Sequence, residues 1–272
     1  MRGGRYIHVP LTSSLHHTVM NSLKVRLRAF GLHLSVSLAV AILAAGLVFG
    51  LWYPYPYREV SGGRELFLLL MGVDVAMGPT ITFLLFTPLK KKRRELMLDC
   101  TLIGVLQVAA LCYGLWSVSV ARPAHLVFEY NRFSVIHANQ VPEPLLSRVS
   151  PGIVALPWTG PTLLSLRPFH NEQERLDATM AALQGMALAG RVDLWQPYAD
   201  ARETVLNASK PLLELKQRFP DIVSRADDVL KRADRSWERG AYLPLVGRKV
   251  VWTVVIDNQS ADILGFLPVD PF

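Results

Sequence analysis

Three apolar runs, Leu34–Tyr53, Leu66–Phe86 and Cys100–Val120, follow one another in the first half of the chain, and none contains a Lys or Arg. Each is about 20 residues long, enough for an α-helix to cross a hydrocarbon core of about 30 Å. One such run could be the buried helix of a water-soluble protein. Three in succession, with Trp52, Tyr53, Tyr55 and Tyr57 after the first and Trp116 near the end of the third, carry the aromatic belt of membrane spans. The first run is too long for a signal-peptide core and ends in Trp52-Tyr53-Pro54 rather than in small residues, so it reads as an anchor. With 51% apolar and 19% charged residues in 272, disordered, collagen-like and disulfide-stapled chains are excluded. Cys100 and Cys112 both lie on the third run, about 18 Å apart along a helix, and cannot pair within one chain.

Charge is divided unevenly. Residues 1–121 hold 12 Lys and Arg against 5 Asp and Glu, whereas residues 122–272 hold 17 of each. Arg2, Arg5, Lys24, Arg26 and Arg28 precede the first run, and Lys90, Lys91, Lys92, Arg93 and Arg94 lie between the second and third. The loop between the first and second has Arg58 and Arg64 balanced by Glu59 and Glu65. Short loops keep their cations on the cytoplasmic side, so the amino terminus and the 87–99 loop are expected inside. A basic loop directly after an apolar run is read as a topology signal that also attracts anionic headgroups, rather than as a nucleic-acid patch. The expected organisation is a basic cytoplasmic segment, 1–30, a three-helix transmembrane region, 31–121 (spans at about 34–53, 66–86 and 100–120), and a periplasmic domain, 122–272. Residues 1–19 have no periodic apolar face, and Met20 precedes a short basic lead into the first span; they are expected to be disordered or an over-extension of the reading frame.

Small residues recur at four-residue spacing in the spans, among them Gly46 and Gly50, and let helix backbones approach closely. Such a face either packs the three helices together or receives a partner helix. Asp74 is the one acid inside a span, about 12 Å deep at helical rise, where an ionised carboxylate costs on the order of 3 kcal/mol. Three roles compete: a packing acid bonded to Gln107 or Thr101, a contact to a partner helix with Gly72, Gly78 and Pro79 beside it, or a catalytic acid. Intramembrane aspartyl hydrolases need a Gly-x-Gly-Asp motif and a second aspartate that shares a proton. Here Val73 precedes the acid, and Asp99 belongs at the opposite membrane face.

The region 122–272 is expected to be an α+β domain. His125–Tyr130 and Phe133–Ala138 alternate around Asn131-Arg132 as a hairpin, and Pro151, Gly152, Pro157, Gly160, Pro161 and Pro168 mark 150–168 as an ordered loop. A helix is expected from Asn171 to Gly190, opened by a capping box with Glu174 and buried along Leu176, Met180, Leu183 and Ala187. Helices at about 199–219, bent or split at Pro211, and at 221–233 follow. Strands at 249–256 and 263–267 close the chain, the first and last strands being expected to pair in one sheet. Hydrolase elbows, zinc-protease motifs, phosphate loops and dinucleotide fingerprints are absent, and His125, His137 and His170 have no metal-ligand spacing, so no catalytic, cofactor or metal residue is assigned. Trp158, Trp195, Trp237 and Trp252 read as core or sheet-face aromatics.

The stretch Arg28–Ser37, Trp52-Tyr53-Pro54, Leu70–Val75 with Gly78-Pro79, Pro88–Lys91, Leu106–Leu111 with Tyr113-Gly114, and Arg122-Pro123, Val127-Phe128 and Arg132-Phe133 resembles the TfpX/TfpZ (FimB) type IV pilin accessory proteins over about 24–140, and more loosely in the closing hairpin through Pro268-Val269-Asp270-Pro271. The resemblance implies an inner-membrane helper of type IV pilus biogenesis, with no enzymatic activity or cofactor. Its partners would be the pilin, through its membrane helix and periplasmic head, and the bilayer. Asp74, Gly72, Gly78 and Pro79 are then the expected contacts to the pilin helix. A membrane hydrolase centred on Asp74 and a membrane-anchored ligand sensor remain as alternatives.

Overall fold

In the computed structural model, which describes residues 11–86 and 92–272, with side chains from residue 23, each apolar run is a long helix. The first, α1 (Leu11–Leu47), continues as a π-helical turn over Val48–Trp52. A short helix, α2 (Tyr57–Val60), leads to α3 (Gly63–Leu85), and α4 (Arg93–Val120) follows. Helical segments at Leu23–Trp52, Gly63–Leu85 and Arg93–Val120 are long and apolar enough to cross a membrane. Leu32, Leu43, Leu69, Leu84 and Leu102 stand exposed on them, the surface expected of helices whose solvent is lipid. Residues 11–19 are helical, which corrects the expectation of disorder there; residues 1–10, and the loop residues 87–91 with Lys90 and Lys91, lie outside the described residues.

Two compact units form, Met1–Ala44 with Leu68–Leu115, and Ala45–Phe67 with Trp116–Phe272. The connection between the first two helices, read from sequence as a plain loop, therefore folds with the carboxyl-terminal region.

That second unit is built on one mixed sheet. Its strands are β1 (Pro123–Glu129), β2 (Arg132–His137), β3 (Thr162–Leu166), β4 (Trp195–Pro197), β5 (Lys210–Pro211), β6 (Gly240–Val246), β7 (Val251–Asp257) and β8 (Ile263–Leu267). The order is β4-β3-β1-β2-β6-β7-β8, with β5 pairing β6. First and last strands share the sheet but are not neighbours. The expected hairpin is present one residue earlier than read: Tyr130-Asn131 makes the turn and Arg132 pairs with Glu129. Inside 150–168, expected as loop throughout, Thr162–Leu166 forms β3 and pairs parallel to β1. All seven residues of β1 are buried, because both faces of the sheet are covered.

Alternation assigns the faces. Leu126, Phe128, Phe133, Val135, Leu243, Leu245, Val254 and Ile256 pack with Val205 of α6 (Arg202–Ala208) and with Tyr57 and Val60 of α2. Tyr242, Val255 and Leu267 pack with α7 (Leu212–Arg218) and α8 (Val223–Arg232), and Val127, Ile136 and Leu164 surround Trp195. The split at Pro211 occurs as read, with β5 between α6 and α7. Tyr53 ties the span ends to this unit: its hydroxyl donates to the Ala121 carbonyl at 2.7 Å, and its ring lies where a Cβ on Gly63 would come within 2.2 Å.

The helix α5 (Glu172–Leu183) departs from expectation in three ways. It ends at Leu183, with Gly185 at φ +91° rather than Gly190 beyond its end, since only the left-handed residue terminates the turn without a Cβ penalty. Asn171 accepts from the Glu174 N–H at 2.8 Å, but the Glu174 carboxylate turns to the His170 N–H and Arg167, so the box is only half made. Leu176, Met180 and Leu183 are exposed and Ala178 is the residue buried. Periodicity defines an apolar stripe, not whether another element covers it.

Candidate functional site

In the first unit the polar side chains of three helices meet. His33 of α1 lies with Nδ1 2.6 Å from the Thr82 hydroxyl of α3 and Nε2 2.6 Å from Gln107 Oε1 of α4. The Gln107 amide donates to Ser37 Oγ at 3.0 Å and to the Asp74 backbone carbonyl at 3.3 Å. An amide oxygen accepts, so His33 Nε2–H donates to Gln107, and Nδ1 lies within hydrogen-bond distance of the Thr82 hydroxyl. Ser37 and Thr82 are buried, and each polar group finds a partner, as a low-dielectric interior requires.

The predicted residues divide around this cluster. Of the two candidate partners for Asp74, Gln107 is the one that bonds it, while Thr101 is exposed. Gly78 is buried against Gln107, and a Cβ there would lie 2.5 Å from Oε1. Pro79, beside it, is buried too. Gly72 is exposed, with nothing within 4 Å of a built Cβ. The four residues therefore do not share one face: Gly78 and Pro79 are engaged within the chain and Gly72 is open. Lys92, Arg93 and Arg94 are exposed at the start of α4. Asp99 stands eight residues before Gln107 on α4, about 12 Å along the helix at 1.5 Å per residue. His33 was missed as a site residue because it stands one position before the first apolar run. A titratable side chain at the edge of a span was the signal that could have found it.

A cavity of about 170 Å³ opens on this cluster, floored by Ser37, Asp74 and Gln107 and walled by Val36, Val40 and Val108. A second, of about 530 Å³, adjoins it through His33 and Val36 and is walled by Leu32, Thr82 and Phe86. Together they make an apolar groove along α1 with a polar floor at its middle. Besides the polar floor, His33 and Thr82, its lining includes Arg28 and Cys100.

In the second unit the titratable groups serve the fold. His125 is buried, donating from Nε2 to the Ala155 carbonyl at 2.8 Å and accepting from Thr162 at 2.7 Å. Burial, helped by nearby Arg122, lowers its pKa to about 4. Burial also lowers that of His137. For Asp257, burial works to raise the pKa, but the Gln259 and Ser260 N–H groups with Arg235 and Arg239 hold it well below the carboxylate range. Trp195 is core as read, whereas Trp158 is exposed.

Known proteins are similar to this chain in sequence. The profile of the fimbrial assembly protein FimB matches residues 21–62. The fimbrial assembly protein of serogroup I from Dichelobacter nodosus is 35% identical over 247 residues, 89% of this chain and 94% of that one. The chain belongs to the fimbrial assembly protein family. The serogroup E1 protein of the same organism is 33% identical over 246 residues, again 89% of this chain and 94% of its own. Its serogroup C1 and C2 relative is 40% identical over 111 residues, 41% of this chain and 84% of that one. The two alignments that cover 89% of the chain include most of 150–240, which lies outside the 24–140 of the first resemblance. The matched stretch of this chain, 21–62, includes His33, Ser37, Tyr53 and Tyr57. No solved structure matches the chain.

Proposed function

We propose that the chain is an inner-membrane accessory factor of type IV pilus biogenesis that binds the pilin subunit before assembly, stabilising or modulating it without catalysing a reaction. The amino terminus and the 87–99 loop lie in the cytoplasm, and the second unit in the periplasm. Arg93 and Arg94 support that orientation: cations in the first turn of α4 oppose the helix dipole, typically by 0.3–1 kcal/mol each, so they are not there for helix stability.

The groove floored by Ser37, Asp74 and Gln107 carries this reading. A pilin waiting in the membrane offers one apolar helix and one external head. The groove takes the helix, with Asp74 at the contact and Gly72 as a further point of close approach on α3, while the second unit takes the head. Two linked weak contacts gain affinity from effective concentration without either being strong alone. Release into the fibre then needs only one of them to open. Gly78 and Pro79 act from behind, by keeping Gln107 and the groove floor in position.

Photocrosslinking in cells tests this. A photoreactive residue replacing Val108, exposed on the groove wall, is expected to yield a pilin adduct. No adduct, together with unchanged surface piliation in a deletion strain, would contradict the reading.

A further inference from the structure

Between Ile153 and Trp158 exposure alternates along an irregular segment that bends at Ala155-Leu156 and again over 158–160. Ile153 and Ala155 are half-buried and Pro157 is buried. Val154, Leu156 and Trp158 point outward, 64%, 40% and 62% exposed. Three large apolar side chains are thus exposed within five residues, and no acidic residue lies between Glu143 and Glu172.

The backbone of this segment is fixed at three points. The Ala155 carbonyl accepts from buried His125 Nε2 at 2.8 Å. The Pro157 carbonyl accepts from Arg122 Nη2 at 3.0 Å and Nε at 3.3 Å. The Gly160 N–H donates to the Leu51 carbonyl at 2.6 Å. Two of these anchors belong to the ends of the membrane helices. Leu51 is in the last turn of the first candidate span, and Arg122 follows the third, which ends at Val120. Trp158 also meets Trp52 edge-on, with centroids 5.6 Å apart, and the Arg122 guanidinium lies 5.4 Å over the Trp158 ring. The exposed segment is therefore held beside the residues at which two spans leave the hydrocarbon.

We infer that Val154, Leu156 and Trp158 insert into the outer leaflet of the bilayer and dock the second unit on the membrane that its own helices cross. The chemistry fits a lipid surface. Valine and leucine enter the acyl boundary, and tryptophan prefers the headgroup level. The absence of carboxylates removes what an anionic surface would repel. A segment whose backbone is already pinned at three points loses little conformational freedom on insertion. The consequence for function is geometric: the domain that receives a pilin head would be held at a set height over the membrane instead of swinging on the ends of its helices.

The inference rests on the three-span reading, and the test separates the two. Spin labels are attached to single cysteines made by Val154→Cys, Leu156→Cys, Tyr130→Cys and Leu106→Cys in full-length protein carrying Cys100→Ala and Cys112→Ala. The protein is placed in nanodiscs of phosphatidylethanolamine and phosphatidylglycerol, and collision with oxygen and with a water-soluble nickel chelate is measured. Tyr130 is exposed at the β1–β2 turn and reports water; Leu106 is exposed in mid-span and reports lipid. Labels at 154 and 156 are expected to show a several-fold loss of nickel collisions relative to 130, with oxygen collisions rising toward those at 106. Nickel access at 154 and 156 equal to that at 130, with 106 still shielded, overturns the docking and leaves the spans standing. Spin–spin broadening at 154 without increased oxygen access would put a second copy on the segment and equally overturn it. Water access at 106 would overturn the span reading and the docking with it.

Discussion

Gly78 of α3 lies directly under the Gln107 side chain of α4, so close that a Cβ at position 78 would stand 2.5 Å from Gln107 Oε1. The absence of one methyl group is what lets a single amide reach His33, Ser37 and Asp74 at once. Gly78→Leu should therefore displace Gln107 and cost about 1–3 kcal/mol, the range for overpacking a filled site. Gly72→Leu, where no atom is within 4 Å, should cost far less. Thermal unfolding of both variants in the same detergent micelle measures the difference, and equal midpoints would contradict the packing described.

The bond between His33 and Gln107 links α1 to α4, and its energy can be isolated. A double-mutant cycle with His33→Ala and Gln107→Ala should give a coupling of about 0.6 kcal/mol, the average for such bonds between membrane helices, with additivity as the contrary result.

Asp74 separates an assembly factor from a hydrolase. Its carbonyl and carboxyl face Gln107, which an asparagine can also satisfy. Asp74→Asn is thus expected to leave surface piliation intact or only weakened. Complete loss of piliation from protein that accumulates normally would point instead to acid chemistry at this residue.

Two buried histidines set the acid limit of the second unit. The His125 imidazole is held to about 4 by burial, and His137 is also lowered by burial, while an unfolded histidine titrates near 6.5. Below that pH the unfolded chain takes up protons that the folded chain refuses. Stability is therefore complete above about pH 6.5 and falls as the pH drops toward 4, with a slope approaching about 1.4 kcal/mol per pH unit for each such group. Asp257 and Glu174 do not share this window, since both are held below the ordinary carboxylate range. His125→Gln should flatten the slope in denaturant titrations between pH 7.5 and 5, though not abolish it because His137 remains.

Asp257 organises the β7–β8 turn, accepting from Gln259 and Ser260 N–H groups and pairing with Arg235 and Arg239 from a buried position. Asp257→Ala removes a buried charge and leaves those donors unsatisfied. A loss of about 3 kcal/mol or more is expected by chemical unfolding, and a loss below 1 kcal/mol would show the network to be slack.

What could be read from residues alone follows the physics of each element. The three long helices and the β1–β2 and β7–β8 strands were legible because length and alternation are local properties. Strand β6 was not, since Pro244 stands inside it. There the proline pairs with Thr253 of β7, while on the other side β5 reaches only Ala241 and Tyr242 and β2 only Leu245 and Val246. The missing N–H therefore falls in a gap between two short ladders, which no sequence window reveals. Strand β3 was hidden between Pro161 and Pro168, its place fixed by pairing with β1. The groove was half legible: Asp74 and Gln107 stood out as polar residues in spans, but that Gly78 serves Gln107 while Gly72 stays open depends on how the helices turn against one another.

The orientation of the chain underlies the whole account, and reporter fusions measure it. Alkaline phosphatase joined after Phe272 should be active and a green fluorescent protein at the same point dark, with the reverse for fusions in the 87–92 loop. An inactive phosphatase and a fluorescent protein after Phe272 would put the second unit in the cytoplasm, away from any pilin head, and contradict the account at its base.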